Sequence, residues 1–145
     1  MSLWCLSEKD ATTGYNGTIK TPLETEAMNI DTNAVMDTIK TQIEQHPVLL
    51  YMKGTPELPQ CGFSARVVHI LKSMNTNFAY VNILAHPEIR ATLPKYANWP
   101  TFPQLYITGE LIGGCDIVTD MQAAGELQPL LASANALGTG DTVAA

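Results

Sequence analysis

Cys61 is the residue whose type and position best suit chemistry. It follows the apolar stretch Val48–Met52 and a loop that contains Gly54 and Pro56, and it stands where a helical pattern begins. Unpaired backbone N–H groups and the positive end of the helix dipole point at a residue in that position. A thiolate is stabilised there, and the pKa of the thiol falls below its usual value of about 8.5. Lys53 adds positive charge nearby, so Cys61 is predicted to be a functional thiol and not a small core residue.

The residue three positions after Cys61 is Ser64, which limits the chemistry. A C-x-x-C dithiol closes an internal disulfide during oxidoreduction, and Ser64 cannot do so. Exchange with an external thiol and metal ligation both remain open. Cys5 and Cys115 lie far away in sequence, so the cysteines form neither a disulfide framework nor a close-paired zinc site. This usage indicates a reducing, cytoplasmic compartment.

Composition excludes several classes of function. The chain has 145 residues, is 46% apolar and carries a net charge of −6. Its basic residues are scattered, whereas nucleic-acid binding normally shows as a clustered basic patch. No apolar run approaches the ~20 residues that span a bilayer. We therefore expect one domain at residues 31–132, a disordered N-terminal extension at residues 1–30 and a disordered tail at residues 133–145, with no nucleic-acid or membrane partner.

The elements that must position Cys61 follow from hydrophobic spacing. The continuous apolar run Val48–Met52 predicts a strand buried on both faces. A helix beginning around Cys61 carries Phe63 and Val67 at helical spacing, and Thr108-Gly109 marks a hairpin turn. The complete predicted order is αβαβαββαα. A βαβ unit followed by a hairpin predicts the α/β class, with a four-stranded mixed sheet flanked by helices in the outline of the thioredoxin fold.

The sequence around Cys61 makes a specific resemblance visible. Cys61-Gly62-Phe63-Ser64 is a CGFS motif, and three further motifs, one before it and two after it, occur in the same order as in one known family. They are Lys53-Gly54-Thr55-Pro56 with Pro59-Gln60, Trp99-Pro100-Thr101-Phe102-Pro103, and Gly113-Gly114-Cys115-Asp116. Over residues 33–131 the chain resembles the monothiol glutaredoxins, in their single-domain bacterial branch.

The resemblance implies a glutathione groove beside Cys61. In this family Lys53 and Arg90 would meet the glycine carboxylate of glutathione, because cations suit an anionic terminus. The backbone of Phe102 would pair with the cysteinyl part of the tripeptide, as an added strand does, and Pro103 is expected to be cis. The alternative interpretation is that Lys53 and Arg90 are solvated surface cations, which is the usual state of a lone basic residue.

The γ-glutamyl end of glutathione is expected at Cys115 and Asp116. The N–H groups of a helix N-terminus would bind its carboxylate, and the Asp116 carboxylate would pair with its ammonium. For the Cys115 thiol we favour a structural role over that of a resolving thiol for Cys61.

The resemblance also implies an iron–sulfur function. A [2Fe–2S] cluster usually takes four thiolates, and two subunits with two glutathiones supply four when Cys61 is the protein ligand. The expected holo form is a cluster-bridged homodimer that delivers clusters to apo iron–sulfur proteins, with a BolA-like protein as a further partner. The alternative is a weak monothiol oxidoreductase that reduces protein–glutathione mixed disulfides, with Cys61 as its redox-active centre. A module with an inert, buried Cys61 is the third possibility.

Overall fold

The computed structural model describes residues 31–145. The predicted N-terminal extension, with Cys5, lies outside these described residues. Helices and strands alternate along the described chain in the order α1 Thr32–Gln45, β1 Val48–Met52, α2 Gly62–Ser73, β2 Phe78–Asn82, α3 Pro87–Ala97, β3 Gln104–Ile107, β4 Glu110–Gly113, α4 Cys115–Ala124, α5 Leu127–Ser133 and β5 Thr142–Ala144.

The strand β1 lies in the middle of a mixed sheet with the order β4-β3-β1-β2-β5. It pairs in parallel with β2 and antiparallel with β3. All residues of β1 are buried, because helices cover both faces of the sheet and neither face meets water. The predicted mixed sheet flanked by helices is therefore confirmed.

The sheet has five strands among the described residues, and the prediction of four was wrong in this detail. The additional strand β5 lies within the stretch that its composition suggested to be a tail. It pairs in parallel with β2. The two residues before β5, Gly140 and Asp141, donate their backbone N–H groups to the Asn77 side chain, each over 2.9 Å. Backbone partners on the outer edge of β2 thus order a segment that is only three residues long and follows two glycines, Gly138 and Gly140.

The core consists of two apolar clusters, one on each face of the sheet. Because side chains alternate along a strand, Leu50 and Met52 pack with α2, α4 and α5, whereas Leu49 and Tyr51 pack with α1 and α3. This packing holds the end of β1 and the beginnings of α2 and α4 in a fixed arrangement, and the candidate site lies among these ends.

Candidate functional site

Cys61 is the N-cap of α2. Its backbone is extended, with φ −144° and ψ 136°, and its carbonyl accepts the N–H of Ala65 over 2.9 Å. The thiol is free and partly exposed. Its pKa is lowered, chiefly by hydrogen bonding from the backbone N–H of Ser64; burial opposes the shift, while the N–H of Phe63, the charge of Lys53 and the Ser64 hydroxyl support it. Unpaired N–H groups at a helix start therefore stabilise the thiolate, as the sequence analysis predicts.

Ser64 is fully buried beneath this thiol. Its Oγ accepts a hydrogen bond from the backbone N–H of Lys53 over 3.2 Å, and its hydroxyl hydrogen favours the Cys61 thiolate. One side chain thus connects the end of β1 to the reactive sulfur.

The loop between β1 and α2 is folded by its own backbone. The N–H of Gln60 donates to the Lys53 carbonyl over 2.9 Å, and Thr55 and Leu58 exchange backbone hydrogen bonds of 3.2 and 3.1 Å. Gly54 has φ +96°, and a Cβ at this position would come within 2.6 Å of the Leu58 carbonyl oxygen. Only glycine suits this conformation and this close approach. The loop therefore sets the positions of Lys53 and Cys61 with respect to each other.

A cleft of about 630 Å³ opens beside Cys61. This volume is within the usual range of small-ligand sites. The residues that the sequence analysis assigned to the site all line it, namely Lys53, Cys61, Arg90, Phe102, Cys115 and Asp116. They come from separate parts of the chain, and the fold brings them together.

Charged side chains of both signs line the cleft. Lys53 and Arg90 form no ion pair within residues 31–145, and Asp116 forms none there either. Asp116 is exposed in the first turn of α4, next to the buried Cys115. A zwitterionic ligand with an anionic end and an ammonium group would complement this distribution.

The cis peptide bond Phe102–Pro103 lies in the cleft wall, and its conformation is the one that the family resemblance implies. Pro103 is buried and Phe102 is half-buried. This wall comprises residues 99–103, and Trp99 at its start donates its backbone N–H to the Pro94 carbonyl in the last turn of α3 over 3.1 Å. The wall is thus tied to a helix at one end and enters β3 at the other.

Several cleft residues were not assigned to the site from the sequence. Phe63, interpreted as part of the apolar pattern of α2, is 60% exposed at the mouth of the cleft. Ile117 is also exposed there. Trp99 lines the cleft as well, and its buried indole N–H has no hydrogen-bond partner in the described chain. Their signal in the sequence is adjacency, since each lies within three residues of an assigned site residue.

The glycine pair before α4 is required by protein packing. Gly113 has φ +148°, and a Cβ there would lie 2.7 Å from the Cβ of Ile117. A Cβ at Gly114 would lie 3.3 Å from the Pro103 carbonyl oxygen and 3.5 Å from the indole nitrogen of Trp99. The pair lets β4, α4 and the cis-proline wall approach each other closely at the cleft.

Neither a cluster of metal ligands nor a membrane-spanning helix is found among the described residues. Among residues 31–145 no three or more His, Cys, Asp or Glu side chains form a group that could hold a metal ion. The helices of this part of the chain are too short or too polar to cross a membrane.

The sequence and the fold are similar to those of known proteins. The profile of the Glutaredoxin family matches residues 48–112. Glutaredoxin 4 of Haemophilus influenzae (strain 86-028NP) is 63% identical over 97 residues, which are 67% of this chain and 91% of that protein. Glutaredoxin 4 of Escherichia coli (strain K12) is 59% identical over 99 residues, 68% of this chain and 86% of that protein.

A solved structure supports the same assignment. The solution structure of reduced poplar apo GrxS14 has a TM-score of 0.61 and 50% identity, and the match covers 68% of this chain and 91% of that one. The predicted thioredoxin fold of the glutaredoxin type is therefore confirmed. With Ser64 in the place of the second cysteine of a C-x-x-C motif, the chain belongs to the glutaredoxin family as a monothiol member of the single-domain bacterial type.

Proposed function

We propose that this glutaredoxin binds glutathione in the cleft and uses Cys61, with the glutathione thiolate, to hold a [2Fe–2S] cluster between two copies of the chain. The observation that carries the proposal is the placement of a partly exposed thiol of lowered pKa at a cleft whose cations, Lys53 and Arg90, form no ion pair within residues 31–145. The cluster is the cargo, and the protein delivers it to apo iron–sulfur proteins.

The cleft residues suit glutathione at both ends of the tripeptide. Lys53 and Arg90 supply cations for the glycine carboxylate. The first turn of α4 supplies N–H groups for the γ-glutamyl carboxylate, and Asp116 supplies an anion for its ammonium. The backbone of Phe102 is available for strand-like pairing with the cysteinyl part. Bound glutathione would supply a second thiolate beside Cys61.

Ligand chemistry leads from one thiol to a dimer. A [2Fe–2S] cluster usually has four thiolate ligands. The described chain offers Cys61 at the surface, whereas Cys115 is buried. Two copies with two glutathiones complete the set. Half of the ligands are then exchangeable small molecules, which suits transfer of the cluster to a client.

The expected partners and compartment belong to the same proposal. A BolA-like protein would replace one copy of the dimer, and apo iron–sulfur proteins would accept the cluster. The reducing cytoplasm, where free thiols and glutathione persist, is the proposed compartment.

A weak oxidoreductase activity is the second candidate, and the lowered pKa of Cys61 favours it. The thiolate would attack the glutathione sulfur of a mixed disulfide and release the client thiol, which takes up a proton. A second glutathione would then reduce the Cys61–glutathione disulfide and leave as oxidised glutathione. Ser64 removes the dithiol route, so this reaction depends on glutathione alone.

Anaerobic reconstitution with iron, sulfide and glutathione tests the first candidate. We expect a brown protein that elutes as a dimer in size-exclusion chromatography and becomes colourless and monomeric when glutathione is removed. Cys61→Ser should abolish the visible absorption, whereas Cys5→Ser should retain it. A colourless monomer under all conditions, together with measurable reduction of a glutathionylated peptide, would instead favour the oxidoreductase.

A further inference from the structure

We propose that Gln104 is a positioning residue for glutathione, because its buried amide fixes the cleft wall that carries Phe102. This inference rests on the proposed function and adds a residue that does not line the cleft. Gln104 is the first residue of β3 and is 0% exposed.

Both hydrogens of the Gln104 amide are used on the wall. Its Nε2 donates to the backbone carbonyls of Trp99 and Thr101, over 3.0 and 3.2 Å. These carbonyls lie on either side of Pro100, and the Thr101 carbonyl comes directly before Phe102. The side chain therefore holds the wall from behind, while the front of the wall faces the cleft.

A second side chain fixes the orientation of this amide. The Tyr106 hydroxyl donates to the Oε1 of Gln104 over 3.1 Å. Carbonyl oxygens only accept hydrogen bonds, so the NH2 group must face Trp99 and Thr101, and the oxygen is left for Tyr106. The ring of Tyr106 is itself held edge-on against Tyr51, with 5.7 Å between the ring centroids. All polar atoms of the buried amide are thus satisfied in one orientation only.

The expected consequence concerns ligand affinity and not the reactive thiol. Backbone pairing with the cysteinyl part of glutathione requires the Phe102 N–H and carbonyl to be held in place before the ligand arrives, since ordering them on binding would weaken affinity. The pKa of Cys61 depends on Ser64, Phe63 and Lys53, and Gln104 is not among the groups that shift it. A change at Gln104 should therefore separate these two properties.

The test measures binding of S-methylglutathione, which has no free thiol, to the full-length apoprotein by calorimetry. Gln104→Met keeps the length of the side chain and removes both donors, and we expect about tenfold weaker binding from the two lost hydrogen bonds. Gln104→Asn, which keeps an amide that is one methylene shorter, should bind with intermediate affinity and covers the case in which the methionine variant fails to fold. The pH midpoint of Cys61 alkylation should remain unchanged in both variants.

Gln42→Leu is the matched control. The Gln42 side chain, on α1, accepts a hydrogen bond from the hydroxyl of Tyr51, the other ring of the same aromatic pair, over 2.9 Å, and this bond does not involve the wall. The affinity of the Gln42→Leu variant for S-methylglutathione should stay within about twofold of the wild-type value. If the Gln104 variants bind S-methylglutathione as tightly as the wild type does, the positioning role is overturned and the proposed function is left intact. No binding by the wild type would overturn both.

Discussion

The backbone N–H of Lys53 donates a hydrogen bond to the hydroxyl of Ser64 over 3.2 Å, from the end of β1 to the first turn of α2. The same hydroxyl favours the thiolate of Cys61. In a dithiol relative this position carries a second cysteine. Here it carries a buried hydroxyl that joins the strand end to the reactive thiol.

Replacement of Ser64 by alanine should raise the pKa of Cys61. The hydroxyl contribution is lost, but the backbone N–H of Ser64, which has the largest effect, remains in the variant. The pKa should therefore stay below that of an ordinary thiol. The Lys53 N–H also loses its acceptor, which should lower the free energy of unfolding by about 1 kcal/mol. The pH dependence of thiolate absorbance at 240 nm and urea unfolding measure the two effects; an unchanged pKa would show that the hydroxyl does not contact the sulfur.

Lys53→Gln should also raise the pKa of Cys61, and the difference from the wild type should shrink at high salt. The cause is the loss of a positive charge that favours the thiolate, and salt screens such interactions. Lys72→Gln is the matched control, because Lys72 is an exposed lysine at the far end of α2 that pairs with Glu57 over 3.7 Å. Alkylation rates across pH at low and high salt provide the measurement. Equal shifts in both variants would mean that net charge, and not the position of Lys53, sets the reactivity.

The lowered pKa of Cys61 makes the stability of the protein depend on pH in a defined direction. Because the thiol has a lower pKa in the folded state, its stabilising contribution is fully present above the pKa of the unfolded thiol, about 8.5. The contribution is lost as pH falls through the folded-state value. As pH rises from about 5 to about 9, the free energy of unfolding of the wild type should therefore increase relative to that of Cys61→Ser. Urea unfolding of both proteins across this range checks it, and a pH-independent difference would contradict the lowered pKa.

Asn77→Ala should release β5 while the rest of the sheet remains. The side chain accepts the N–H groups of Gly140 and Asp141, and those bonds precede the strand. Amide hydrogen exchange should accelerate in residues 142–144, with a loss of about 1 kcal/mol or less in global stability. Ser133→Ala, which removes a hydroxyl bonded locally to Leu130, should leave exchange in β5 unchanged. Persistent protection of β5 in the Asn77 variant would show that the strand pairing alone orders this segment.

Much of the fold could be predicted from local patterns. The five-residue apolar run of β1 is buried throughout, because only a strand covered on both faces has no polar alternation. The strand β5 could not be predicted in the same way, since its three residues are too short a run to show a strand pattern and its partners are backbone groups of β2, about sixty residues earlier in the chain. The exposure of Phe63 could not be predicted either, because helical spacing does not say whether another element covers an apolar side chain.

The sequence by itself determined the kind of chemistry and the family. Cys61 after a glycine- and proline-containing loop, with Ser64 three residues later, predicts a single activated thiol, since helix N-terminal position and residue type are local properties. The tertiary structure decided which residues share the cleft and what holds them. Arg90 and Asp116 reach the same cavity, and Gln104 secures the wall from behind, through contacts that depend on how the sheet is wound and not on spacing along the chain.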